Sequence, residues 1–277
     1  MLRSAAFSFV RAVRSGARGF TLIELIVVIV LLGILALLTT DILLKPFQGF
    51  QDQARRAKLT ANADLAMQRM VRELRHALPN SVRVGCGGQC FEFLNTVDGG
   101  RYRRYPASDG TGNVLDIASA DTAFDVLGGA ASAAVGQQVV IYNVEAVQNV
   151  PGNAYFGNNR GAVTGFVAGA LSFSPPAGGF PQHSPGQRFD LVDGPVSFYC
   201  SAGQLTRCSG YAIQTSQPAS CPAGGSSSLL VEDVSSCGFS YDPGSHTRAG
   251  VMTLSLSLTD EGETISLLSQ AQVLNVP

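Results

Sequence analysis

Between Phe20 and Leu38 the chain runs for 19 residues in which only Thr21, Glu24 and Gly33 interrupt an apolar sequence. A helical membrane span needs about 20 such residues, so this run predicts one crossing helix. Beyond it, Leu59, Ala63, Ala66, Met70, Leu74 and Ala77 recur at helical spacing, while Arg55, Arg56, Lys58, Arg69, Arg72 and Arg75 fall on polar faces. Pro79 sets the limit of this second pattern, because the residue before a proline is pushed out of helical geometry. If continuous from Phe20 to Leu78, the helix would be roughly 88 Å long. Its outer half carries an apolar stripe that must be covered, and the chain beyond Pro79 reads as the sheet that covers it. Strands are expected over Phe91–Thr96 together with Tyr102–Tyr105, and over 138–144, 170–173, 196–200, 204–208 and 236–241. The clearest is the closing hairpin. Met252, Leu254, Leu256 and Leu258 alternate with Thr253, Ser255 and Ser257, and after Asp260-Glu261-Gly262-Glu263 the two-residue period resumes at Ile265, Leu267, Ala271 and Val273. The glycine-rich stretch from about 125 to 190 is weakly patterned and is expected to hold variable loops or a second lobe. The fold class implied is α+β, a long N-terminal helix packed on an antiparallel sheet.

Charge around the apolar run gives it a direction. Arg3, Arg11, Arg14 and Arg18 precede Gly19, residues 1–19 contain no acid, and the next cation is Lys45. That asymmetry predicts a cytoplasmic N-terminus and an exported C-terminal bulk. A secretory signal has an apolar core of about 7 to 15 residues followed by a small-residue cleavage site. Here the core is longer, and the small residue beside a cation, Arg18-Gly19, comes before it. Glu24 is the informative intruder. A charged side chain at the centre of an inserting helix costs about 2.5 to 3.5 kcal/mol, so an acid inside the segment calls for a function and a partner. On charge and length alone, a plain signal anchor with an incidental glutamate stays open.

Gly19-Phe20-Thr21-Leu22-Ile23-Glu24-Leu25 behind a basic leader resembles the class III signal of type IV pilins and type II secretion pseudopilins. The resemblance implies cleavage by prepilin peptidase between Gly19 and Phe20, N-methylation of Phe20, and pairing of Glu24 with the N-terminal amine of a neighbouring subunit. Two opposite charges attract strongly in a low-dielectric setting, and each would be costly to bury alone. The organisation implied is a removed leader (1–19), a transmembrane and assembly helix (20–40), an amphipathic half-helix (41–78) and a β-rich head (79–277). Two features depart from the family's pattern: the leader is longer than the short leaders of type IVa pilins, and Asp41 stands where many major pilins carry proline, with Pro46 a little later. Gly33 lies within the span, where it either loosens the helix or lets neighbouring helices approach closely. Residues 69–84, Phe239-Ser240-Tyr241 and the closing hairpin are similar to minor pilins of mannose-sensitive haemagglutinin pilus biogenesis, which implies an initiating subunit near a fibre tip. The partners implied are prepilin peptidase, other minor and major pilins, and an inner-membrane assembly platform. The implied location is the inner membrane, single-pass with a periplasmic head, and then the cell surface.

Composition constrains the rest. The 277-residue chain is 45% hydrophobic and 14% charged, with 31 Gly and 13 Pro, which suits a loop-rich exported domain. Removal of residues 1–19 deletes 4 of 19 Lys and Arg and none of 20 Asp and Glu, leaving 15 cations against 20 anions. That balance disfavours nucleic acid as a general partner. The run Arg101-Tyr102-Arg103-Arg104-Tyr105 could grip phosphates and stack bases; a strand edge protected by charge is the favoured reading. Six cysteines, Cys86, Cys90, Cys200, Cys208, Cys221 and Cys237, all lie outside the apolar run and fit an oxidising compartment. They allow 15 pairings, and local ones are favoured: Cys86–Cys90 around a glycine loop, Cys200–Cys208 across a hairpin, and Cys221–Cys237. Their spacings match no usual zinc knuckle. Asp121 and Asp125, or Glu232 and Asp233, could ligate calcium, though such acids near turns are usually solvated. His76, His183 and His246 have no neighbouring nucleophile, and no nucleophile elbow, zinc-protease helix or phosphate loop occurs. The expectation is a non-enzyme without cofactor. Three readings from different classes remain: an initiating minor pilin, a larger J-like pseudopilin of type II secretion, and a tip adhesin or DNA-contact module.

Overall fold

The structure is a computed structural model that describes residues 19–128, 132–244 and 248–275, with backbone alone over 40–48. Contacts group the chain into two compact units, residues 1–53 and 54–277. One helix, α1 (Leu22–Leu74), contributes to both. It starts two residues later than the apolar run because Thr21 acts as its cap: the Glu24 N–H donates to Thr21 Oγ1 at 3.3 Å and the Leu25 N–H to the Thr21 carbonyl at 3.2 Å. In the first unit the side chains from Phe20 to Leu38 are all exposed.

The helix ends at Leu74 rather than Leu78. The chain just after it is captured by a strand: Thr96 N–H donates to the His76 carbonyl and Leu78 N–H to the Leu94 carbonyl, each at 2.8 Å. These main-chain groups exchange helical partners for a strand before Pro79 is reached.

Twelve strands make up the rest: β1 (Arg83–Gly85), β2 (Cys90–Tyr102), β3 (Ala123–Leu127), β4 (Gln138–Val140), β5 (Arg160–Val167), β6 (Ala170–Ser174), β7 (Arg188–Ser201), β8 (Gln204–Ser209), β9 (Ser226–Val231), β10 (Val234–Asp242), β11 (Gly250–Asp260) and β12 (Glu263–Val273). Neighbouring strands pair antiparallel throughout. The long strands β2 and β7 serve two structures. Their halves around Cys90–Asn95 and Gly194–Ser201 form an open sheet in the order β1-β2-β7-β8-β9. Their other halves close a ring, β2-β3-β6-β5-β4-β7 and back to β2. Strands β10, β11 and β12 make a separate three-stranded sheet.

The main core lies where α1, the open sheet and the three-stranded sheet meet. The six helical positions expected from spacing are all buried, joined by Met67. They pack with Phe91, Phe93 and Phe198 from the open sheet and with Phe239, Met252, Leu254, Leu256 and Leu258 from the other. The closing hairpin has the expected register, with Leu256 opposite Leu267 and Leu258 opposite Ile265. Its two-residue turn has positive φ at Glu261 (45°) and Gly262 (88°), as a primed turn requires.

The stretch from about 125 to 190, expected to hold variable loops or a second lobe, supplies β4, β5 and β6, three of the six strands of the ring, which encloses its own core of Tyr102, Phe124, Phe173, Phe180 and Phe189. The segment Phe91–Thr96 continues through Tyr102 as one strand, and Arg103 to Tyr105 lie beyond it.

The disulfides are Cys86–Cys90, Cys200–Cys237 and Cys208–Cys221. The first agrees with local pairing; the other two overturn it. On the β7–β8 ladder, Cys200 stands opposite Leu205 and Cys208 opposite Ser197. An odd register offset of three puts the two sulfurs on opposite faces of the sheet, because side chains alternate along a strand. Cys200 faces the main core and reaches β10, while Cys208 faces the other way and ties down the loop after β8. Non-reducing peptide mapping of the protein purified from its own cells should therefore recover a Cys200–Cys237 peptide and no Cys200–Cys208 peptide.

Candidate assembly site at the N-terminus

The N-terminal segment presents chemistry that the head does not. Leu22–Thr39 is long and apolar enough to cross a membrane, and none of it is buried within the structure. A helix that is apolar all round must find its cover outside its own chain, in lipid or in other helices. Glu24 sits in the first turn, where the positive end of the helix dipole favours a carboxylate. Among the described residues it has no ion-pair partner, so its counter-charge within the segment must come from elsewhere. The α-amine that cleavage at Gly19–Phe20 would release is four residues away along the same chain, and its equivalent on an adjoining chain is the alternative. Phe20 is 78% exposed and Thr21 is occupied in capping.

Several of the other sequence candidates are drawn into structural work. Tyr102 is fully buried, with its hydroxyl 3.1 Å from His183 Nδ1 and accepting from the Ser184 N–H at 3.0 Å, so it offers no face for base stacking. Arg103 pairs with Asp125 at 3.1 Å. Arg101 is exposed but does not lie on a free edge: β3 flanks it through Leu127 and β7 through Arg188. Asp121 accepts from the Asp116 and Ala123 N–H groups, and Asp125 also accepts from the Asn113 N–H. Asp233 accepts, through its carbonyl, the Thr259 N–H, which fixes the corner beside Glu232. His76 is exposed at the end of α1, and His246 lies outside the described residues.

Sequence reading missed a buried charged cluster. Arg83 Nε donates to Glu92 Oε2 at 2.6 Å, and its Nη atoms donate to the Thr215 and Gln214 carbonyls at 2.7 and 2.9 Å. The guanidinium lies 3.7 Å above the Tyr155 ring, and the Tyr211 hydroxyl donates to Glu92 Oε1 at 2.7 Å. Burial pushes the Glu92 carboxyl above its ordinary value, and Arg83 and Tyr211 pull against that. Nothing in the linear sequence joins residues 83, 92, 155 and 211; every group in the cluster has a partner, and it ties the long loop after β8 to the sheet.

Asp190 on β7 is a second missed feature. Burial raises its pKa to about 6, against the lowering influence of Arg188. A carboxyl whose folded pKa exceeds its unfolded value of 3.8 penalises the ionised fold, so its effect is nil below about pH 4 and complete above about pH 6. Asp190→Asn should raise the stability of the head by up to about 3 kcal/mol at pH 7.5 and leave it nearly unchanged at pH 4, measured as paired thermal unfolding curves.

Comparison with known proteins bears on the N-terminal segment. The family model described as the prokaryotic N-terminal methylation motif matches residues 14–40. The motif indicates a type IV pilin-like or pseudopilin protein. No curated protein and no solved structure matches the chain. The match begins within the basic leader, contains Gly19, Phe20 and Glu24, and ends where the apolar run gives out. For a pilin-like chain the motif implies prepilin peptidase processing, membrane association through the apolar helix, and assembly into a pilus or secretion fibre. Proteins of this kind are structural rather than catalytic.

Proposed function

We propose that this chain is a minor pilin of a type IV pilus of the mannose-sensitive haemagglutinin (MSHA) type, resembling the minor pilin MshO, which primes fibre assembly and takes a place at the tip. The observation that carries the reading is the motif from Gly19 to Glu24 at the head of an exposed apolar helix that continues into a folded head. The similarity over residues 69–84, Phe239–Tyr241 and the closing hairpin supports the narrower assignment.

In this reading prepilin peptidase cuts between Gly19 and Phe20, and the freed amine of Phe20 is methylated yet still positively charged. Glu24 meets the corresponding amine of an adjoining subunit, so neither charge is buried alone as the helix leaves lipid for the fibre interior. The exposed apolar side chains pack against equivalent helices, and the disulfide-bonded head stays outside.

Intact-mass measurement and N-terminal sequencing of the endogenous protein test the class: a chain beginning at N-methylated Phe20 is expected, and functional material retaining residues 1–19 would overturn it. A J-like pseudopilin shares these N-terminal features. Deletion separates the two, since a pilus subunit takes surface fibres with it and a pseudopilin takes secretion of folded exoproteins.

A further inference from the structure

The three-stranded sheet ends in a strand that natural proteins rarely leave bare. Edge strands are usually kept short, bulged, charged or covered, because their outward N–H and C=O groups template pairing with another chain. Strand β9 is six residues long with a register shift opposite it, and β10 has a shift near Val234 and a disulfide at Cys237. Strand β12 has none of these protections. It pairs with β11 over eleven consecutive positions without a bulge, and from Thr264 to Val273 it contains no charge and no proline. Among the described residues, no main-chain group of β12 bonds outside the β11 ladder. In an antiparallel ladder every second residue then turns its N–H and C=O away from the partner.

That edge borders a groove. Its far wall is the helical stripe Asp64, Gln68, Val71 and Arg75, and its floor includes Met67 and Leu267. A second depression at Gln270, Gln272 and Leu274 continues it and again meets Arg75. Leu268, on the outer face of β12, is 71% exposed. Arg72 and Arg75 are exposed and make no ion pair among the described residues, so the groove has an apolar floor at Met67 and Leu267, a mixed wall that includes Asp64 and Gln68, and two cations toward the Arg75 end.

We propose that the outer edge of β12 takes up an extended segment from a neighbouring, different pilin-like subunit, adding a fourth strand to the β10–β12 sheet. Backbone hydrogen bonds supply the affinity, alternate apolar side chains enter the groove at Met67 and Val71, and an acidic group meets Arg72 and Arg75. The description of the neighbour as pilin-like rests on the function proposed above. An antiparallel pairing of two copies through β12 is disfavoured by direction. Strand β12 runs alongside α1 in the same sense, from Glu263 at Arg56 to Leu274 at Arg75. Two copies joined antiparallel at β12 would set their α1 segments in opposite directions, whereas subunits rising from one membrane present theirs alike.

The test places a photo-crosslinking residue at Gln270 of the full-length protein in its own cells, with the same probe at Ser228 on β9 as control. The expected result is a light-dependent adduct at Gln270, identified by mass as a different subunit with its own N-terminal methylation motif, and none at Ser228. Leu268→Lys or Ser266→Lys, both at exposed positions, should abolish the adduct while the Cys200–Cys237 bond and Phe20 processing persist. No adduct, an adduct with a second copy only, an adduct with lipid only, or equal labelling at Ser228 overturns the proposal. Methylated Phe20 without an adduct sinks the edge alone; an uncleaved leader sinks the pilin reading.

Discussion

Replacing Glu24 by alanine is expected, on the pairing proposed above, to leave the protein cleaved and membrane-held while reducing its recovery in sheared fibres, and its co-isolation with other pilins, by about a hundredfold to a few thousandfold. The magnitude comes from the charge that the substitution strands. Removing one member of a desolvated ion pair leaves its partner's charge uncompensated, at about 3 to 5 kcal/mol, and each 1.4 kcal/mol is a factor of ten in association. Helix formation should be little affected, since Thr21 still caps the first turn. Glu24→Gln separates charge from hydrogen bonding: if pairing with an ammonium group is the function, glutamine should behave like alanine. Unchanged piliation and unchanged co-isolation in both variants would remove the electrostatic account of assembly.

The largest stability effect is expected inside the head. Glu92→Ala should lower its stability by about 3 to 5 kcal/mol, because Arg83 would remain buried with its charge unpaired. In a domain of this size that is a fall in Tm of about 10 °C. Arg248→Ala is the informative contrast. Its pair with Asp242 is 65% and 59% exposed, and such surface pairs contribute no more than about 1 kcal/mol. Thermal unfolding of the two variants side by side checks both statements; equal small shifts would mean that the Arg83–Glu92 cluster is far more hydrated than its burial indicates.

The parts of the fold that could be read in the sequence are those where a long period repeats. The helical stripe from Leu59 to Ala77 and the alternation from Met252 to Val273 each bury one face over many residues, so pattern alone specifies them. The ring was legible only in pieces. The strands expected over 138–144 and 170–173 are β4 and β6, whereas β3 and β5 announce themselves by no alternating pattern, and the aromatic core is assembled from Tyr102, Phe124, Phe173 and Phe189, which are far apart in the chain. The cysteine pairing failed on register: sequence proximity put Cys200 and Cys208 in one hairpin, but only the ladder shows that they face opposite sides. The buried Arg83–Glu92–Tyr211 cluster depends on a loop returning to the sheet, which no local rule encodes. At the N-terminus the situation reverses. The motif is contiguous, and the structure adds to it chiefly the Thr21 cap and the exposure of the apolar helix.

Because the ring borrows its two longest strands from the sheet beside it, it has no seam at which it could be excised. A fragment cut at residues 103 and 187 would lose both shared staves and open its aromatic interior to water, so the ring cannot be shuffled between proteins as a cassette. Diversification is left to the exposed tips of the connections that emerge from its rims, such as 106–111 and 147–149, which can be lengthened or replaced while the hoop beneath them keeps its hydrogen-bonded closure.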